Sequence, residues 1–311
     1  MKFKKMAALL MAGAMVLGMG IPVSAEEKEG ADEITIWAWD EAFNIKAANV
    51  AKEMYAEANP DVKVNVVTMA QDDIVAKLNT SLASGSYEGL PDIVLIEDYR
   101  IQGYLKAYPD EFADLSDIVS PDDFAEYKTG VNQVDGKTYG VPFDSGVAAV
   151  FYRTDYIEEA GYTTEDMQDL TWDKYIEIGE AVKEKTGKHM LTLDPSDLGQ
   201  IRMMLQSAGA WYTDEEGNVT IKDNQALKDA ITTYKKIVDS GISKQVADWD
   251  QFVGAFNSGD VASVPTGCWI SPSVLKAEDQ SGKWAVAPFP KMAENENSVN
   301  ASSIGGGGWY V

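Results

Sequence analysis

Residues 34–98 read ITIWAWDEAFNIKAANVAKEMYAEANPDVKVNVVTMAQDDIVAKLNTSLASGSYEGLPDIVLIED. Ile34-Thr35-Ile36-Trp37-Ala38-Trp39 is a short apolar strand that ends at Asp40. A helix follows, with Ala47, Val50, Ala51, Met54, Tyr55 and Ala58 on one face at three- to four-residue spacing, and Asn59-Pro60 stops it. Val62, Val64 and Val66 alternate as a second strand, and Ile74, Leu78 and Leu82 mark a second helix ending at Ser84-Gly85. Asp92-Ile93-Val94-Leu95-Ile96 runs into Glu97-Asp98 with the look of a strand buried on both faces. Strand, helix, strand, helix, strand at these intervals predicts right-handed crossovers and a mainly parallel sheet.

The chain beyond repeats this style without repeating the sequence. Tyr139–Asp144 leads into an apolar strand over Val147–Tyr152. Trp172, Tyr175, Ile176, Gly179 and Val182 fit a helix closed by Gly187, and Met190–Leu193 fits a strand. Gln200–Ala208 and Ala226–Val238 are further helices, the latter opened by Asp223 and stopped by Gly241. Val261–Val264 reads as a strand before Gly267-Cys268-Trp269. So long a chain exceeds one compact core of this type, so two lobes are expected. Ligands of such sheets bind at the carboxyl ends of the strands, which predicts a ligand cleft between the lobes.

The first residues read as an address. Lys2, Lys4 and Lys5 precede an uncharged run from Met6 to Ile21, and Val23-Ser24-Ala25 supplies small residues for cleavage. Residues 1–25 are therefore expected to be a secretory signal peptide and residues 26–33 a polar leader. No cysteine lies near the cleavage site, so a secreted or periplasmic protein without a lipobox-cysteine anchor is expected.

Composition narrows the function. The net charge is -24 at pH 7, and -27 without the three lysines of the signal peptide. Such a body is a poor partner for nucleic acid, whose phosphates need basic patches, and the charge should keep it soluble and monomeric. One histidine, His189, and one cysteine, Cys268, leave no intrachain disulfide, no His/Cys metal cluster and no redox pair. Neither a cofactor nor a metal is expected, and binding is favoured over catalysis. His189 reads as structural or surface, and Cys268 as a small buried core residue.

Several stretches resemble a known family. ITIWAWD at Ile34–Asp40, LPDIVLIED at Leu90–Asp98, GVPFD at Gly140–Asp144, TWDKYIEIG at Thr171–Gly179, FNSGDVASVPTGCW at Phe256–Trp269 and GGGGWYV at Gly305–Val311 are similar to the extracellular solute-binding proteins of carbohydrate ABC importers. Through WAWD…FN and IEDYRIQGYLKAYPDEFADLSD the chain is most similar to lactose- and arabinose-type sugar binders within that family. The resemblance implies a type II, two-lobed periplasmic-binding-protein fold that captures a neutral di- or oligosaccharide by lobe closure and delivers it to permease subunits. It also implies chain crossings near Val141–Ser145, near Ala287–Pro290 and at the glycine run. The N-lobe is then 34–142 with 288–308 and the C-lobe 143–287, with completing C-terminal helices absent from this sequence.

Sugars present hydroxyls around the ring and apolar faces above and below, so a site for them needs fixed carboxylates or amides and flat aromatic surface. Among eight tryptophans, Trp39, Trp211 and Trp269 are the stacking candidates, because they sit at strand ends or follow small residues. Of Trp37 and Trp39, which alternate along the strand, one is expected to face the core and Trp39 the ligand. Asp40, Asn44, Glu97, Asp98 and Asp144 are the polar candidates; Asp40 and Asp98 also suit helix caps. Trp309, beside four glycines, is open between ligand and core. Trp172 and Trp284 read as core, and Trp249-Asp250 as a helix start. The rival readings are an acidic binder of cationic polyamines, whose binding would be salt-sensitive, and an exported glycoside hydrolase with a pair of catalytic acids.

Overall fold

The computed structural model describes residues 33–214 and 216–311, so the signal peptide falls outside the described residues. Its main elements run, in chain order, β1 (Glu33–Ala38), α1 (Asn44–Ala58), β2 (Lys63–Thr68), α2 (Gln71–Ser84), β3 (Ile93–Glu97), α3 (Asp98–Ala107), α4 (Glu126–Val131) and β4 (Gly140–Asp144). Then come β5 (Ala148–Arg153), α5 (Trp172–Thr186), β6 (Leu191–Leu193), α6 (Gly199–Ser207), α7 (Gln225–Ser240), β7 (Ser243–Gln245), α8 (Trp249–Asn257), β8 (Ser263–Gly267), β9 (Trp284–Pro288) and β10 (Gly307–Tyr310). The chain divides into two compact units: residues up to Ser145 together with Gly305–Val311, and Gly146–Ile304. Among the described residues no helix is long and apolar enough to cross a membrane.

The first unit is built on a five-stranded sheet in the order β2-β1-β3-β10-β4. β1 pairs parallel with β2 and β3, and β10 runs antiparallel between β3 and β4. β3 is buried along its whole length, as its unbroken apolar run requires. Alternation along β10 sends its two aromatic side chains to opposite faces. Trp309 packs with Ile34, Ile36, Leu95 and Val141 on one side, and Tyr310 with Trp37, Val94, Ile96 and Tyr139 on the other. Tyr310 lies so close over Gly140 that a Cβ there would stand 2.3 Å from its ring. In α1 the buried stripe is Asn44, Ile45, Ala48, Ala51 and Tyr55, rotated from the face expected: Val50 and Met54 are exposed. The helix carries more apolar residues than its buried stripe uses, and the stripe begins with a buried asparagine, Asn44.

The second unit holds the antiparallel sheet β8-β5-β9 and a parallel pair β6-β7. Its core centres on Trp172, whose ring lies 5.2 Å from Tyr175 and 5.3 Å from Phe289 in edge-to-face contact. α7 is opened by Asn224, whose side chain accepts from the Leu227 amide at 3.0 Å. Asp223, the cap expected from sequence, instead adopts a positive φ of 62°. Gly187 and Gly241 close α5 and α7 in the left-handed conformation, as their positions predicted.

The boundaries differ from those expected. Residues 288–304 belong to the second unit, and 143–145 to the first. The resemblance implies a crossing near Ala287–Pro290, but Pro288 ends β9 opposite Ala149 and Phe289 is fully buried. Beyond it, the Asn300 amide donates to the Leu170 and Phe289 carbonyls at 2.7 and 2.9 Å. The Ser302 hydroxyl donates to Met203 O at 2.7 Å. Cys268 is exposed, not buried, because it follows the end of β8 at the start of a short turn. His189 is half-buried and bridges Val261 through its backbone. Burial holds its imidazole below the usual pKa.

Candidate functional site

β1, β3 and β4 all end at the same edge of the first unit's sheet, since β1 and β3 are parallel and β10 runs antiparallel to both β3 and β4. Trp39-Asp40, Glu97-Asp98 and Asp144 are thereby brought to one edge. Asp40 is buried and turns the chain into α1: its Oδ1 accepts from the Ala42 and Phe43 amides at 2.8 and 3.1 Å. Asn44 completes that turn, with Oδ1 accepting from the Trp39 and Asp40 amides at 3.2 and 3.0 Å. Asp40 therefore shapes the turn that precedes α1 rather than capping it, since Phe43 stands at the N-cap position and no side chain caps the helix. Trp39 is half-buried against both clusters of the unit, and the space it shares with Gln71, Ile74, Leu78 and Tyr104 is too narrow for a water. Trp37 is buried in the cluster around Tyr310. Residues two apart on a strand share a face, so the pair does not divide by alternation; Trp39 is the more exposed because it stands beyond the end of β1.

Glu97 is buried within an intramolecular network. Its Oε1 accepts from Tyr99 Oη at 3.0 Å, from Arg100 Nε at 3.1 Å, and from Gln71 Nε2. Asp98 opens α3, and its Oδ2 meets Lys128 Nζ at 2.5 Å. Its Oδ1 is buried and has no hydrogen-bond partner among the described residues. Lys128 is itself buried and also donates to the Gly307 carbonyl at 3.2 Å. Asp144 faces Gly307 across the β4–β10 pair and accepts from its amide.

Burial pushes Asp144 up to about 6; Lys128 pulls against this, and Asp98 adds to it by like-charge repulsion. Asp98 is raised for the same first reason, with Lys128 opposing. The sign of the stability effect follows. Between the ordinary value of 3.8 and about 6, folded Asp144 holds a proton that the unfolded chain has released. Its contribution is full below 3.8 and is lost as pH rises through about 6. Asp144→Asn should therefore match the parent near pH 4 and exceed it by the order of 1–3 kcal/mol above pH 7. Urea midpoints of both proteins across that range check this, and a difference independent of pH would contradict it.

Aromatic surface at this edge comes from Phe43 and Phe143, half-buried and 5.1 Å apart. Trp309 lies behind them, 5.4 Å from Phe143 and 2% exposed. Of the two readings left open for it, its burial among Ile34, Ile36, Leu95 and Val141 favours the core. Neither phenylalanine is among the residues expected from sequence, although Phe43 follows Asp40 by three residues and Phe143 directly precedes Asp144.

In the second unit Trp211 follows α6, half-buried, with its ring 4.9 Å from Tyr212. It lines an open depression with Gln206, Gly209, Ala210, Thr213 and Asp214. Trp269 follows β8; its indole N–H donates to Ile304 O at 2.9 Å, and its ring lies 5.7 Å from that of Trp249. The structure does not pair Trp211 with Trp269. Trp211 lies beyond the carboxyl end of α6, whereas Ile304, which anchors Trp269, packs at Gly199 where α6 begins. Trp172 is core as expected, and Trp284 is half-buried, donating to Gln280 Oε1 at 2.9 Å. Among the described residues no group of three or more His, Cys, Asp or Glu is placed to hold a metal ion.

Residues 51–311 match the description of the bacterial extracellular solute-binding proteins. The chain belongs to that family. It is 48% identical over 281 residues to a lactose-binding protein of Rhizobium radiobacter, covering 90% of this chain and 66% of the relative. It is 28% identical over 319 residues to an arabinooligosaccharide-binding protein of Bacillus subtilis, covering 97% of this chain and 71% of that one. Among solved structures, the ABC transporter associated binding protein of B. animalis subsp. lactis, in complex with β-1,6-galactobiose, superposes with a TM-score of 0.76 at 25% identity, covering 91% and 68% of the two chains. The GacH receptor of Streptomyces glaucescens, known unliganded and with acarbose, gives 0.75 at 25%, covering 91% and 72%. The chain thus spans about two thirds of the length of the lactose-binding relative. The fold is the two-lobed α/β fold of these solute-binding proteins, as the motifs led us to expect. The family is one of extracellular binding proteins rather than enzymes.

Proposed function

We propose that this protein is the extracytoplasmic substrate-binding component of an ABC sugar importer. It captures a neutral di- or oligosaccharide without turnover and delivers it to permease subunits in the membrane. The observation that carries the reading is the 48% identity with a lactose-binding protein. The side chains support it. Asp98 and Asp144 stand where β3 and β4 end and supply charge-assisted acceptors for hydroxyls. Trp269 and Trp211, half-buried after β8 and α6, supply flat surface for ring faces. Asp40, Asn44, Glu97 and Trp39 shape that edge from the first unit, their own hydrogen bonds and packing being spent within it. The net charge of -24 favours a monomer in solution.

Calorimetry with lactose and a panel of neutral oligosaccharides tests this. The expected result is one-to-one binding at micromolar strength or tighter, about -8 kcal/mol, little changed by salt. Release of cleaved sugar would return the protein to the hydrolases. Binding restricted to cationic ligands, weakened by salt, would favour the polyamine reading.

A further inference from the structure

The first unit carries a lysine that no feature of its sequence marks out. Lys128 projects from α4, a short helix, and its side chain is 6% exposed. A buried lysine is uncommon unless paired, and this one has two partners from distant parts of the chain: Asp98 Oδ2 at 2.5 Å and the Gly307 carbonyl at 3.2 Å. Gly307 is also the residue whose amide reaches Asp144. One ammonium group therefore holds the start of α3, the first residue of β10 and, through Gly307, the end of β4.

We propose that Lys128 is a positioning residue of the sugar site, acting as the buried counter-ion that keeps Asp98 and Asp144 together as fixed hydroxyl acceptors. This rests on the sugar-binding reading for its purpose, while the counter-ion role rests on the Lys128–Asp98 ion pair and on Gly307, which Lys128 and Asp144 both contact. The charged and titratable groups around the pair are few. Glu97 on β3 is engaged by Arg100. Tyr310 on β10 donates to Asn132, and burial pushes its phenol far above the range in which it ionises. Lys128 is thus the cation that faces both aspartates. Without it, two half-buried carboxylates would share one corner with no cation to offset them. Such pairs cannot both ionise easily, and one takes up a proton. A protonated carboxyl presents a donor where the site needs an acceptor.

The test compares the parent with Lys128→Met and Lys128→Arg by two readouts. The first, needing no ligand, follows the aspartate carboxyl signals by carbon-13 NMR from pH 3 to pH 9. In Lys128→Met the highest aspartate midpoint should rise by at least one pH unit, and in Lys128→Arg it should stay near the parent's. Unchanged midpoints in Lys128→Met would overturn the proposal. If Lys128→Met does not fold, the double variant Lys128→Met/Asp144→Asn removes the repulsion and should restore folding; failure of both would assign Lys128 a purely structural role and overturn it equally. The second readout is lactose affinity at pH 7. Loss of tenfold or more in Lys128→Met, with retention within about threefold in Lys128→Arg, supports the proposal; equal affinity in all three refutes the positioning role. If the parent binds no sugar while the midpoints move, the sugar reading fails and the counter-ion assignment survives.

Discussion

Trp309→Ala should lower the stability of the unliganded protein by about 3–5 kcal/mol, the range for removing a large aromatic side chain from a core. Trp309 is among the largest fully buried side chains, packed with Ile34, Ile36, Leu95 and Val141 and edge-to-face with Phe143 at 5.4 Å. It stands on β10, paired on both sides by backbone hydrogen bonds, so the cavity left by truncation has little freedom to collapse. Denaturation followed by circular dichroism would show an early loss of part of the signal, as the first unit unfolds ahead of the second. A ligand-contact role predicts the opposite: unchanged denaturation and a loss of sugar affinity. That outcome would return Trp309 to the candidates for direct contact.

Trp269→Ala should weaken lactose binding about thirtyfold, corresponding to roughly 2 kcal/mol for a truncated aromatic anchor. The ring is held before any ligand arrives, by its N–H to Ile304 O and by the neighbouring Trp249. Little ordering cost therefore falls on binding. Trp269→Phe keeps a flat face while losing the anchor and should fall between the two. Calorimetry of the three proteins, with melting curves of each without ligand, separates stacking from packing. A variant that melts early yet binds like the parent would make Trp269 a core residue.

How much of this was legible in the sequence depends on the range of the forces involved. The strand–helix alternation of residues 34–98 was readable because periodicity is local, and β1, α1, β2, α2 and β3 follow it. The acids at strand ends were readable too, because a parallel sheet gathers such ends at one edge. Lys128 was not: its partners lie 30 and 179 residues away, and nothing in Glu126–Val131 announces them. Trp309 stayed open between ligand and core because glycines permit close backbone approach to a ligand, whereas its burial comes from Ile34, Ile36, Leu95 and Val141, side chains distant in sequence. The crossing expected near Ala287–Pro290 was displaced for a similar reason. The crossing there came from the family resemblance, but Phe289 is fully buried in the core of the second unit.

The placement of β10 between β3 and β4 also governs the order in which the chain assembles. The second unit is one unbroken segment and can form as soon as that segment is available. The sheet of the first unit must wait through all of Gly146–Ile304 for its inner strand. Until then β3 and β4 present unpaired backbone edges, the kind of surface that invites mispairing and slows folding. The N-terminal half is therefore expected to remain uncommitted until Gly307–Tyr310 arrives, so that the two units finish folding in the order second, then first.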